Sequence, residues 1–123
     1  MAQEKCKTLG ELKQALTRDY NAINSRLFAT GVVTLKIDIV DEKIFMLAVH
    51  KRVVPLQIVS EQSALVADIA DYYLVRLFKS QFKEILTKNY QFEVSSIFKD
   101  YDRDDELSST LVLLKKEVQT YLH

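Results

Sequence analysis

Arg76 is the charged residue best placed to do chemistry. It follows Tyr72 by four positions and Tyr73 by three, a spacing that sets side chains on adjoining turns of one helix. A guanidinium beside two phenols grips a carboxylate or phosphate through paired N–H donors and stacks on a flat ring. The competing reading is structural. The Arg76 stem then covers apolar surface while its head pairs with Asp71 or Ser80, or with Asp100 at the end of a later strand. His50 and Arg52, flanking Lys51, form a second cationic group, suited either to an exposed strand end or to an anion contact. The candidate ligand-binding residues are therefore Arg76, Tyr72, Tyr73, His50, Arg52 and Asp100.

Patterns for metals and catalysis are weaker. Asp100, Asp102 and Asp104 alternate as at the start of a calcium loop. The position for the turn glycine holds Asp105, however, and the position for the closing bidentate glutamate holds Leu111, so no metal site is expected. The lone Cys6 has no disulfide or metal-ligand partner and reads as an inert thiol near a frayed terminus. A Gly-rich phosphate loop, CxxC, HExxH and GxSxG are all missing from the sequence. A protein that is not an enzyme and carries no cofactor is the expectation.

Composition bounds the remaining classes. A chain of 123 residues with 48% hydrophobic content suits a single domain, 1–123, with 1–7 and 116–123 flexible or accessory. Lys+Arg and Asp+Glu both number 17, so the basic excess of a general nucleic-acid binder is missing. The longest strongly apolar run, Ile44 to Val49, is far too short to cross a bilayer. The first residues lack the apolar segment of a secretory signal, so a cytoplasmic location is expected.

Periodicity supplies the elements that must hold these residues. Leu9, Leu12, Leu16, Tyr20, Ile23 and Leu27 mark one face of a helix over Thr8–Ala29. Thr8 and Glu11 form a capping box, and Gly31 suits the helix end. Val33, Leu35, Ile37 and Ile39 alternate with polar residues as a half-buried strand. After Asp41-Glu42, a second strand over Lys43–Lys51 is apolar on both faces and is expected to be covered on both, by a helix and by a subunit or ligand. Pro55 makes Val53–Leu56 a linker. Ser60 then caps a long helix ending near Asn89, whose apolar arc is wider than one sheet requires. A third strand over Gln91–Tyr101 loses its alternation at Ser95-Ser96. The acidic loop Asp100–Glu106 leads to a fourth strand, Ser109–Leu114, and the tail either continues it or turns helical. The order α-β-β-α-β-β predicts an α+β fold, with a four-stranded antiparallel sheet and two helices on one face.

This pattern resembles the MpsC-like domain family, over roughly Leu9 to Lys115. The matching residues are Phe28-Ala29-Thr30-Gly31 after the first helix and Ile39-Val40-Asp41-Glu42-Lys43-Ile44-Phe45-Met46 in the first hairpin. Leu74-Val75-Arg76 in the long helix and Asp100 after the third strand complete the match. One segment departs: Lys51–Gln57 replaces the Gly and Leu-Thr-x-x-Glu helix start of the family, which puts the family's ligand in doubt here. The resemblance implies a non-enzymatic accessory or sensory domain tied to membrane transport or signalling, with a formylated folate linked to some members. Such a flat, carboxylate-bearing ligand suits Arg76 with Tyr72 and Tyr73.

The expected function is a small-molecule-sensing or accessory binding domain for an anionic, partly aromatic ligand, acting as a homodimer. Its partner is expected to be a membrane transporter or signalling protein. The alternative is a pure interaction or dimerisation module without a ligand site. For the acidic loop, calorimetric titration with calcium is expected to give no stoichiometric micromolar binding; a one-to-one isotherm contradicts that reading.

Overall fold

The apolar spacing between Leu9 and Leu27 forms the helix it predicts. A computed structural model describes residues 5–28, 32, 34–49, 51 and 54–122. In it α1 spans Leu9–Phe28 and buries Leu12, Leu16, Tyr20 and Ile23 completely. Thr8 Oγ1 accepts the Glu11 N–H at 3.1 Å, while the Glu11 carboxylate reaches back to the N–H of Lys7 at 2.8 Å. The expected reciprocal cap therefore closes one residue early. Gly31 lies outside the described residues.

Strands β1 (Thr34–Val40), β2 (Lys43–Val49), β3 (Val94–Asp102) and β4 (Leu107–Leu114) form one sheet in the order β1-β2-β4-β3, with all neighbours antiparallel. The fold is α+β, with α1 and the long helix α3 (Ala64–Tyr90) on one face of that sheet. Ile37, Ile44, Met46, Ala48, Val112 and Leu114 point into the core, where they meet Leu16 and Tyr20 of α1 and Phe78, Phe82 and Leu86 of α3. The turn between β1 and β2 places Asp41 at φ 53°, a left-handed conformation that Asp tolerates better than most residues.

Several expectations need correction. The segment read as a linker starts a helix, α2 (Val54–Gln62), with Pro55 in its first turn, where the missing N–H has no partner to lose. Ser60 is inside α2 and does not start the long helix. Ser63 does, with its Oγ accepting the Val66 N–H at 3.3 Å. Cys6, expected at a frayed end, is buried against the core. Of the two courses expected for the tail it takes the helical one: Val118–Tyr121 form a short 3-10 helix, with Val118 fully buried and its N–H donated to the Asp41 carbonyl at 2.8 Å. The outer face of β2, where the sequence leads to a subunit or ligand as cover, leaves Phe45 and Leu47 44% and 48% exposed.

Helix α3 has two unlike halves. Phe78, Phe82, Leu86 and Tyr90 are buried against α1 and the sheet. Of residues 64–77 only Ala67 is buried, and α2 is in contact with α3. Leu65, Ile69, Tyr72, Tyr73 and Leu77 stay exposed along it. The two halves predict unequal mutational costs. Phe78→Ala or Phe82→Ala should lower unfolding free energy by about 3–5 kcal/mol in urea titrations. Leu65→Ala or Tyr73→Ala should stay within about 0.5 kcal/mol, and comparable losses in both halves contradict this packing.

Candidate functional site

The residue that organises the site is one the sequence reading passed over. β3 begins with Val94 facing the helices, but a bulge between Val94 and Ser96 adds one residue to the strand. An extra residue reverses which side chains face inward. Ile97, Lys99 and Tyr101 therefore point under the helices, while Phe98 and Asp100 point away.

Lys99 consequently sits beneath α1 and α3. Its Nζ donates to Tyr20 Oη at 2.9 Å, Ser108 Oγ at 2.7 Å and Thr110 Oγ1 at 3.2 Å. The amine lies 4.0 Å from the centroid of the Phe78 ring and 4.9 Å from that of Tyr20. An ammonium has three donors and no acceptor, so three oxygens and two ring faces satisfy it without a carboxylate. Burial works the other way and pushes the amine down to about 7. Burial also raises the Tyr20 phenol above its ordinary value, opposed by its contacts with Ser108 and Thr110.

The short contact of Lys99 with Ser108 has the composition of a serine–lysine dyad. Ser108 is nevertheless fully buried near the start of β4, and it lines neither of the two hollows that Lys99 borders. A nucleophile must reach a substrate carbonyl. Ser108 is a positioning partner of the amine.

Lys99 does border a groove between α3 and β3. This hollow of about 370 Å³ is lined on one side by Tyr72, Val75, Arg76 and Lys79, and on the other by Lys99, Asp100 and Tyr101, with Asp68 and Asp71 at its end. Arg76 is exposed and donates to Tyr72 Oη at 3.1 Å. That hydrogen bond, reinforced by the guanidinium charge, holds the Tyr72 phenol below its ordinary value. Arg103 bonds Asp68 at 2.7 Å and lies 3.8 Å from Asp71. The acidic end of the groove thus has its own cation. Among the described residues, no carboxylate lies within 4.0 Å of the charged ends of Arg76, Lys79 or Lys99.

The structure brings three of the expected residues, Arg76, Tyr72 and Asp100, to one groove. Tyr73 stacks edge-on to Tyr72 at 5.8 Å but does not line the groove. His50 and Arg52 lie outside the described residues. Among the described residues no cluster of three metal-ligating side chains occurs, and no helix is long and apolar enough to cross a membrane. No protein-family model, curated protein or solved structure matches the chain.

The buried amine predicts a pH signature. An amine that titrates near 7 when folded and at about 10.4 when unfolded holds fewer protons folded than unfolded between those values. Stability then rises with pH across that window, by at most about 1.4 kcal/mol per unit. The melting temperature should climb from neutral pH to pH ~9, and Lys99→Met should flatten the climb. Parallel curves for the two proteins contradict the assignment.

Proposed function

We propose that this chain is a non-enzymatic sensing or accessory domain that binds a small anionic, partly aromatic molecule in the groove between α3 and β3. The observation that carries the reading is the charge arrangement. Arg103 engages Asp68 and Asp71, so Arg76 and Lys79 remain to face an incoming anion, with the Lys99 amine behind them in its own hydrogen bonds. A volume of about 370 Å³ is at the small end of ligand pockets and accommodates one or two rings with a carboxylate. Tyr72 offers a ring and a phenol at the rim, and the exposed Arg76 can swing from Tyr72 to a ligand oxygen at little cost.

The order α-β-β-α-β-β and the place of Arg76 within it support the likeness to MpsC-like domains. On that likeness the domain works in the cytoplasm beside a membrane transport or signalling protein. The alternative, an interaction module without a ligand, is favoured by a different feature. Leu65, Ile69 and Tyr73, one helical stripe on α3, are all at least half exposed, more apolar surface than a solitary helix face normally leaves wet.

Native mass spectrometry of the purified protein, followed by thermal-shift assays with folic acid and p-aminobenzoylglutamate, separates the two. The binding reading predicts a retained small molecule or a rise in melting temperature. Arg76→Ala and Lys79→Ala should each weaken the response about ten-fold, equivalent to one charge-assisted hydrogen bond, with the unliganded melting temperature unchanged. If Arg76→Ala lowers the unliganded melting temperature and leaves ligand retention untouched, Arg76 is a structural tie and the groove is not the site.

A further inference from the structure

The outer face of the sheet carries a second feature, which meets the groove at Lys79, Lys99 and Asp100 along the β3 edge. Strand register arranges its side chains in rows. One row runs Lys36, Leu47, Ser109, Asp100 across the four strands, and the next runs Asp38, Phe45, Leu111, Phe98. Phe45, Leu47 and Phe98 stay about half exposed. Together with Leu111 they floor a depression of about 610 Å³. A continuous apolar face of this kind on a sheet normally packs against another layer.

The charges on this face identify the layer. The first row begins with a cation on the edge strand β1 and ends with an anion on the opposite edge strand β3. A two-fold axis parallel to the strands, running between β2 and β4 in the plane of contact, lays β1 of one copy over β3 of the other. Lys36 then meets Asp100 of the second copy, twice by symmetry. Across the same plane Phe45 meets Leu111, Leu47 meets Ser109, and Asp38 on the edge strand meets Phe98. Aligned sheets pack about 10 Å apart with a rotation of about 30°, an offset that a lysine side chain spans. Neither Lys36 nor Asp100 has an ion-pair partner among the described residues. Within one copy they are three strand spacings apart, about 14 Å, too far to pair with each other.

We infer that the outer sheet face is the interface of a homodimer in which two sheets stack with Lys36 of each copy paired to Asp100 of the other.

Sedimentation equilibrium tests this with four variants, each checked for folding by circular dichroism. Wild type should be a dimer and Phe45→Lys, at an exposed position, a folded monomer. Lys36→Glu should raise the dimer dissociation constant about ten-fold or more by setting Glu against Asp100. Adding Asp100→Lys to it should restore association, a rescue that cannot arise within one copy. A wild type that stays monomeric at ~100 μM overturns the inference. So does a Phe45→Lys protein that still dimerises while Ile69→Glu does not, since the interface is then the α3 stripe. Failure of the double charge exchange to restore what Lys36→Glu loses overturns the stated register.

Discussion

A lysine amine placed under two helices with no carboxylate beside it constrains everything around it. Moving an ammonium out of water costs several kcal/mol unless its donors are met. Here they are met by one hydroxyl from α1 and two from β4, while α3 contributes the Phe78 ring. Each partner belongs to a different element from Lys99 itself, so the hydrogen bonds form only when α1, α3, β3 and β4 are all in place. Ser108 and Thr110 are polar residues on a core-facing strand surface, and the amine accounts for both.

The same residue couples the core to the groove. Lys99 belongs to the buried network and also borders the hollow under Tyr72 and Arg76. An anion bound there lies near an amine that burial has brought within reach of neutral pH. Negative charge nearby favours the ammonium, so the proposed anion would favour protonation of Lys99. The exposed first half of α3 gives the groove a wall that is thinly anchored, held by the Arg103 contacts with Asp68 and Asp71. The buried second half, from Phe78 onward, fixes the axis along which that wall stands.

Much of this was legible in the residues, and the failures have physical causes. Alternation at Leu35, Ile37 and Ile39 and the heptad-like run from Leu12 to Ile23 describe surfaces that meet only one core, so periodicity places them well. The start of α3 was misplaced because Ser60 and Ser63 are equally good caps by type. Pro55, which tends to exclude helix, in fact opens one when it occupies the first turn. Spacing and charge single out Arg76, Tyr72 and Asp100, and the three share a groove. Lys99 was missed because Phe92 and Val94 set an expected parity for β3, and the extra residue before Ser96 reverses it. A signal existed: Ile97 and Tyr101 flank Lys99 in alternation, and Ser108 and Thr110 alternate with Val112 and Leu114 on the strand paired with it. Polar residues on an apolar stripe imply a polar neighbour across the sheet.

The claim that carries the account is that the Lys99 amine sits in the core, satisfied by hydroxyls and rings and not by a carboxylate. Direct titration of the Lys99 ¹³Cε resonance by NMR, assigned by comparison with Lys99→Arg, reports on that amine alone. The account predicts a titration midpoint near 7, well separated from the other lysines. A midpoint at or above the ordinary lysine value of about 10.4 would mean that the amine is solvated or paired with a carboxylate, and would contradict it.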